Sequence, residues 1–289
     1  MTYKLFIGDR TFSSWSMRGW LMLEHFPIPH RTQMLGLYDG TLQQDLADLA
    51  PARTVPVLQT QDGHVVGDSL AIAETLVEAH PDLPLYPSDP AARVMARNLM
   101  AEMHSGFSAL RGDCPMNLRN RWDGFQASDA VLADVARIEK LWALARNMRN
   151  GDGPWLFGDY SFVDAFYAPV AARIVTYGLP RNDAAQAYID ATLSDPIFRQ
   201  WRAMGETKTY DPFPYASDLT DLGWPMERLN ARPVEQGVAE NDACPYSGDP
   251  VTHLMELDGR IFGFCNAFCR DKTVADPAAW PKFMALYQR

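Results

Sequence analysis

The order of strand-like and helix-like segments in the first 80 residues constrains the fold of this chain more than any other sequence feature. These segments are a strand at 3–7, a helix at 16–25, a strand at 30–35, a helix from Thr41, the paired strands "VPVLQT" and "HVVG", and a helix from Asp68 or Ser69. Each is predicted from its period of apolar residues and from its turn and cap residues. The order β-α-β-α-β-β-α predicts an α/β unit in which the strand after Pro56 is central.

That order is typical of a thioredoxin-type unit, which we predict to span residues 1–86. Only helix patterns follow it until the C-terminal region: a long helix capped by Asp89, and two more in "SDAVLADVARIEKLWALARNM" and "SFVDAFYAPVAARIVTY". Residues 87–205 are therefore predicted to form an all-helical domain. Residues 206–241, rich in Pro, Asp and Gly, are a predicted linker to a small unit at 242–289.

Charge and hydropathy argue against two classes of partner. The chain has 36 acidic residues against 26 Lys and Arg, so its formal net charge is -10, and no basic face for nucleic acid is visible. No apolar stretch approaches the ~20 residues that span a bilayer, and the N-terminus lacks the pattern of a secretion signal. We therefore expect a cytoplasmic protein with no nucleic-acid or membrane partner.

The stretch "TFSSWSMRGW" at residues 11–20 places three serines at the start of the first helix. One serine is enough to cap a helix by accepting a hydrogen bond from an N–H group of the first turn. Ser13, Ser14 and Ser16 together therefore leave at least one hydroxyl over. Because the helix dipole and the free N–H groups favour negative charge there, the stretch predicts an anion site.

Three motifs in this order resemble the glutathione S-transferases over roughly residues 1–205. The motif "SSWSMR" is similar to the serine loop of the zeta and theta classes, "RTVPVL" to a segment whose Val-Pro bond is cis, and "GDSLAI" to the segment that opens the third helix. The stretch "AEMHSGFSALR" is similar to bacterial transferases related to the zeta class. The resemblance implies glutathione as co-substrate, a small-molecule electrophile as its partner in the reaction, and a homodimer.

The resemblance also implies roles for individual residues. Ser14, four residues before Arg18, occupies the catalytic position that stabilises the glutathione thiolate, with Ser13 as the alternative. The implied glutathione-binding residues are Ser16, Arg53, Val55, Pro56, Asp68 and Ser69, and the implied electrophile pocket contains Met103, His104 and Phe107. Ser16 also suits a supporting or capping role. Two roles fit Arg53 equally well: binding the glycyl carboxylate of glutathione, or lying in a solvated loop without a ligand.

This chain departs from the family pattern at one informative position. Trp15 stands where the zeta class usually has a cysteine, which puts the maleylacetoacetate isomerase activity of that class in question. The loop contains no cysteine, which argues against thiol-disulfide activity of the omega type. The alternative to an enzyme is a regulatory protein that binds glutathione or metal on the same fold without catalysis.

Three of the four cysteines lie in the small C-terminal unit. Cys244, Cys265 and Cys269 there resemble the cysteines of YHS and TRASH-like treble-clef modules, which bind metal. A disulfide would leave one thiol unpaired, whereas Zn²⁺ accepts three thiolates and a fourth ligand, so we predict a zinc site with His253 as a weak fourth candidate. The alternative is that the cysteines pack as small apolar side chains.

Overall fold

A computed structural model describes residues 2–208, 210, 212, 215 and 217–289 of the chain. Its contacts divide the chain into two compact units, one of Met1–Ser194 with Pro212–Gly223 and one of Asp195–Asp211 with Trp224–Arg289. Five residues of the predicted linker, at positions 209, 211, 213, 214 and 216, lie outside the described set. The domain boundaries at residues 86, 205 and 241 remain predictions from the sequence.

The first unit begins with a four-stranded mixed sheet and its helices. The elements are β1 (Tyr3–Ile7), α1 (Ser14–Glu24), β2 (His30–Met34), α2 (Leu42–Asp45), β3 (Val57–Gln59), β4 (Val65–Val66) and α3 (Ser69–Ala79). The strand order is β2-β1-β3-β4, with β1 and β2 parallel and the other pairs antiparallel. The predicted element order and the interior position of the strand after Pro56 are confirmed.

One predicted helix in this unit is shorter than expected. The apolar spacing of "TLQQDLADL" predicts two turns or more, but α2 has four residues. The Thr41 hydroxyl forms no cap hydrogen bond and lies 2.9 Å from both Asp39 Oδ1 and Asp45 Oδ2, so its single hydrogen is donated to one of these carboxylates. With the cap lost to a local turn, the helix lacks the N-terminal hydrogen bond that the sequence pattern assumed.

Five helices complete the first unit. They are α4 (Pro90–Ser105), α5 (Ser108–Asp113), α6 (Asp129–Arg146), α7 (Phe162–Thr176) and α8 (Asp183–Ser194). Every residue of α7 is buried, and this helix packs against α1, α4 and α8. Its N-terminus carries a capping box of Ser161 and Asp164. Because α7 contacts α1 directly, the helical domain lies against the serine-rich start of α1. In the described part of the chain, no helix combines the length and apolar character that crossing a membrane requires.

The second unit contains a three-stranded antiparallel sheet and short helices. Its elements are α9 (Pro196–Glu206), β5 (Ala231–Val234), β6 (His253–Leu257), β7 (Arg260–Phe264), α10 (Ala267–Ala275), a 3-10 helix (Pro277–Ala279) and α11 (Pro281–Tyr287). Strand β5 lies inside the predicted linker. The sequence pattern did not predict this strand because Pro233 interrupts it. An edge strand such as β5 tolerates a proline. Met255, Phe262 and Phe283 form the fully buried core, with Ala203 of α9 packed against them.

Candidate functional site

The start of α1 is built by the three serines, each with a different set of contacts. Ser13 is the helix cap: its Oγ accepts a hydrogen bond from the Ser16 N–H at 3.3 Å and donates to Ser16 Oγ at 2.8 Å. Ser16 Oγ in turn accepts from the backbone N–H of Gly8 at 2.9 Å. The hydroxyls of Ser13 and Ser16 therefore tie the end of β1 to the start of α1.

Ser14 is arranged differently from its two neighbours. Its Oγ accepts a hydrogen bond from Arg173 Nη2 at 3.3 Å, and its carbonyl oxygen accepts one from Arg18 Nη1 at 3.2 Å. The hydroxyl hydrogen of Ser14 has no acceptor among the residues that the structure describes. Since the guanidinium of Arg173 donates to the hydroxyl oxygen, Ser14 is left to donate to a ligand.

Two adjoining cavities meet at this loop, one of about 540 Å³ and one of about 300 Å³. Both are lined by Trp15, Thr54, Val55 and Arg111. The larger cavity also contains Ser13, Ser14, Tyr38, Arg173 and Tyr215, and the smaller one Pro56, Gly67, Asp68, Ser69 and His104. A single ligand can therefore extend from the start of α3 to Ser14, next to space for a second ligand.

The smaller cavity carries the polar groups that a peptide-like ligand needs. The Val55–Pro56 peptide bond is cis, as the sequence resemblance implies, and the Ala50–Pro51 bond is cis as well. Ser69 Oγ is buried at the start of α3 without a hydrogen-bond partner in the described residues. Asp68 caps α3 through Oδ1, while its Oδ2 lies 3.3 Å from His104 Nε2. A buried hydroxyl without a partner is costly, so a ligand group that bonds to Ser69 would stabilise this cavity.

Three arginines surround the serine loop. Arg18 and Arg173 are buried, and Arg111 is half-buried. Burial, together with the charges of Arg173 and Arg111, lowers the pKa of Arg18. Burial lowers the pKa of Arg173 to about 10, to which the charge of Arg111 also contributes. The cluster creates a positive potential at the N-terminus of α1, which adds to the helix dipole and favours a bound anion.

Four of the sequence-predicted binding residues line neither cavity. Ser16 is fully buried, and its hydroxyl is used within the loop. Arg53 is exposed on the loop before the cis proline. Met103 is buried because it continues the core-facing stripe of α4. Phe107 is also buried, at the point where the chain turns into α5 with φ of 55°. His104, in contrast, lines the smaller cavity.

Two arginines that line the cavities are absent from the sequence-based predictions. Arg173 is one of two charged residues in α7, and the other, Asp164, belongs to the capping box at the start of the helix. A charged residue that lies beyond the cap in an otherwise largely apolar, buried helix signals a buried polar function. Arg111 lies in the stretch "SALRGD", whose pattern contains no comparable signal. Only the packing of α5 beside the serine loop brings Arg111 to the cavities.

The second unit holds a separate cluster of thiols. The sulfur atoms of Cys244, Cys265 and Cys269 all lie within 4.8 Å of one another, and those of Cys265 and Cys269 are 3.9 Å apart. Two sulfurs bound tetrahedrally to one zinc ion at 2.3 Å each are separated by about 3.8 Å. The three thiols thus fit the donor set and the spacing of a zinc site. His253 is not part of this cluster, and its Nδ1 lies 2.9 Å from Thr252 Oγ1.

The environment of the cysteines differs from one to the next. Burial tends to raise the pKa of Cys244, but hydrogen bonds from the backbone N–H groups of Ser247, Cys265 and Tyr246 outweigh burial and lower that pKa to about 7. Burial, with the neighbouring thiols, raises the pKa of Cys269 to about 12. Backbone N–H groups directed at a sulfur favour its thiolate form, which is the form that binds metal.

The first unit has the architecture of a two-domain transferase with a thioredoxin fold: a mixed sheet, a cis proline facing helix-start serines, and an attached helical domain. Residues 12–79 match the family model "Glutathione S-transferase, N-terminal domain". A probable maleylacetoacetate isomerase of Caenorhabditis elegans is 32% identical over 151 residues, which is 52% of this chain and 68% of the relative. The chain therefore belongs to the glutathione S-transferase family.

Two further comparisons agree with this assignment. The maleylacetoacetate isomerase of Dictyostelium discoideum is 29% identical over 158 residues, which is 54% of this chain and 71% of the relative. A glutathione transferase homolog from Burkholderia, solved with bound glutathione, has the same fold with a TM-score of 0.54 at 22% identity, covering 72% of this chain and all of that one (100%). The predicted fold class, a thioredoxin-like domain followed by a helical transferase domain, is confirmed.

Proposed function

We propose that the protein is a glutathione transferase in which Ser14 stabilises the thiolate of glutathione for attack on a small electrophile. The observation that carries this proposal is the hydrogen bond from Arg173 to Ser14 Oγ. It occupies the hydroxyl oxygen and leaves the hydrogen for the ligand sulfur in the larger cavity. Stabilising the thiolate lowers the thiol pKa, and each unit of that shift corresponds to about 1.4 kcal/mol.

The same reasoning favours Ser14 over Ser13. The Ser13 hydroxyl donates to Ser16 Oγ and accepts from the Ser16 N–H, so both of its hydrogen-bonding functions are used within the loop. A thiolate requires a donor, and Ser13 can supply one only by breaking the cap of α1. Ser13 is therefore a structural residue in this proposal.

Glutathione is proposed to extend from the smaller cavity to Ser14 in the larger one. The backbone of Val55 faces the ligand as an antiparallel strand would, next to the cis bond to Pro56. Asp68 supplies a carboxylate for the γ-glutamyl ammonium, and Ser69 with the N-terminus of α3 supplies donors for the γ-glutamyl carboxylate. The buried, unpartnered hydroxyl of Ser69 supports this assignment.

Replacing Ser69 by alanine is expected to weaken glutathione binding at least tenfold. A hydrogen bond to a charged group contributes about 1.5–3 kcal/mol, and ~1.4 kcal/mol corresponds to a factor of ten. Isothermal titration of glutathione into Ser69→Ala measures the loss. Ser105→Ala is the matched control, because the hydroxyl of that exposed serine donates to the carbonyl of Ala101 and has no other partner among the described residues. Equal affinity of the two variants would contradict the assignment of Ser69.

Turnover separates the enzyme from a binding protein on the same fold. A glutathione-binding regulatory protein would give the same titration with glutathione, but it would not conjugate glutathione to a reactive aryl chloride. Wild-type protein with bound glutathione and no conjugation of any electrophile tested, including maleylacetoacetate isomerisation, would favour the regulatory alternative. The isomerisation belongs in this test because the curated relatives are named for it, although Trp15 replaces the usual cysteine.

We also propose a zinc-binding role for the second unit. Its support is the fit of Cys244, Cys265 and Cys269 to a three-thiolate site, with backbone N–H groups directed at the most buried sulfur. When bound, zinc would supply a structural cross-link between the segment that joins β5 to β6, which contains Cys244, and the start of α10. The three cysteines hold it, and the Ser247 hydroxyl, 3.3 Å from Cys265 Sγ, lies beside the same sulfurs.

A homodimer is the proposed assembly. Transferases that this chain resembles are usually twofold dimers, and closed twofold pairs are the commonest soluble oligomers. Multi-angle light scattering at micromolar concentration is expected to give twice the chain mass of 32.4 kDa. A monomeric mass under those conditions would contradict the proposal.

A further inference from the structure

Arg111 occupies the boundary between the two cavities and lines both of them. Its Nη1 donates to two backbone carbonyls at the end of α4, those of His104 at 3.4 Å and Gly106 at 3.1 Å. Its guanidinium lies 5.0 Å from the centre of the Trp15 ring. These contacts fix one edge of the guanidinium and leave the donors Nε and Nη2 for other groups.

The charge of Arg111 is not neutralised by a neighbouring side chain. Among the described residues, its polar contacts are the two carbonyls, and no carboxylate forms an ion pair with it. Arg18 and Arg173 also bond to backbone carbonyls, and Arg173 to Ser14, rather than to acids. Like charges gathered in a half-buried space repel one another, so the cluster is stabilised when anions bind. One thiolate supplies one negative charge for three guanidinium groups.

Trp15 contacts Arg111 from the serine loop. Two guanidinium groups lie close to the indole, that of Arg18 at 4.4 Å and that of Arg111 at 5.0 Å from the ring centre. Stacking of a guanidinium on an indole contributes about 0.5–2 kcal/mol, depending on its desolvation. Loss of the indole would remove that contact and leave Arg111 attached only through its carbonyl bonds.

We propose that Arg111 is a carboxylate-binding residue that serves both cavities, and that Trp15 is the residue that positions it. The planar guanidinium suits a carboxylate because it can donate two parallel hydrogen bonds. The carboxylate has two possible sources, the glycyl end of glutathione and an acidic group of the electrophile. The inference rests on the proposed function, since it takes the two cavities as the sites of those ligands.

The experiment compares each carboxylate with its amide by isothermal titration. One pair is glutathione and its glycyl amide, and the other is chloronitrobenzoate and chloronitrobenzamide. Arg111→Gln is expected to weaken binding of one carboxylate by about 10- to 100-fold while changing its amide less than about twofold, because the lost bond is charge-assisted. The pair that responds identifies the source of the carboxylate.

Further variants separate positioning from folding. Trp15→Leu is expected to reduce the ratio of carboxylate to amide affinity in the same pair. Arg111→Lys is expected to give a ratio between those of Arg111→Gln and wild type. Arg97→Gln is the control, since Arg97 is exposed and stacks on Tyr86 outside both cavities. Its ratio should equal that of wild type, and thermal unfolding shows whether each variant is folded.

The outcomes distinguish this inference from the proposed function. An unchanged ratio for both pairs in folded Arg111→Gln overturns the role of Arg111, and an unchanged ratio for both pairs in folded Trp15→Leu overturns that of Trp15. A wild-type protein that does not bind glutathione overturns the proposed function. In that case the ratio of chloronitrobenzoate to chloronitrobenzamide affinity decides the role of Arg111. A lower ratio in Arg111→Gln than in wild type supports the role, and an unchanged ratio overturns it.

Discussion

Replacing Ser14 by alanine is expected to lower kcat for glutathione conjugation by about 10- to 1000-fold, the range for loss of one preorganised donor to a developing or stabilised anion. Glutathione affinity should remain nearly unchanged, because the variant keeps the contacts of Val55, Asp68 and Ser69. The pKa of the bound glutathione thiol should rise toward the ordinary thiol value of about 8.5, measured by the ultraviolet absorbance of the thiolate against pH. Steady-state kinetics gives the loss in kcat.

Ser13→Ala is the matched control for this prediction. It removes the cap of α1 and the bond to Ser16, which should cost about 1 kcal/mol of stability, visible as a lower melting temperature. Its kcat should stay within a few-fold of wild type. An inactive Ser13→Ala beside a fully active Ser14→Ala would move the thiolate-stabilising role to Ser13. Two fully active variants would overturn the serine mechanism altogether.

Removal of one cysteine of the thiol cluster is expected to abolish zinc binding. Protein purified without chelator should contain close to one equivalent of zinc, and Cys269→Ala less than about a tenth, because two thiolates rarely retain a structural zinc. The variant should also unfold at lower denaturant, since metal binding to a preformed site contributes directly to folding free energy. Elemental analysis and denaturant titration give the two results.

Cys114→Ala provides the control for that measurement. Cys114 is a buried cysteine of the first unit, outside the thiol cluster, so its loss should leave the zinc content unchanged. Wild-type protein with less than about a tenth of an equivalent of any transition metal would contradict the zinc proposal. The cysteines would then be small apolar members of the second unit's core, where Cys244 already packs beside Met255 and Phe264.

Local sequence signals predicted the elements of the first unit well. Asp68 and Asp89 cap their helices through side-chain hydrogen bonds, as their positions predicted, because a cap depends on neighbours within three residues. The pairing of β3 with β4 also followed from the sequence, since the turn "QDG" and the alternation around it specify a hairpin. The prediction of an anion site at the serine loop rests on the same kind of local signal, a surplus of hydroxyls at the start of a helix.

The cation cluster could not be predicted in the same way. Arg18, Arg111 and Arg173 come from α1, α5 and α7, and no local pattern records that three distant helices meet at one loop. The burial of Met103 has a related cause: α4 borders the smaller cavity with one face and the core with another. Helical spacing alone does not say which face is which, and Met103 lies on the core face of α4, while Phe107, between α4 and α5, is buried as well.

The division of the chain into two units has a consequence for truncation of the second unit. Helix α9 belongs with the sheet of the second unit, whereas residues 212–223 return to the first unit before the chain enters the second unit again. The chain thus passes between the units three times, and each unit is made of two separate segments of the sequence. A stop codon near residue 241 would strip α9 of its packing partners instead of releasing an intact transferase. A truncation at the predicted boundary near residue 241 therefore does not separate one unit from the other.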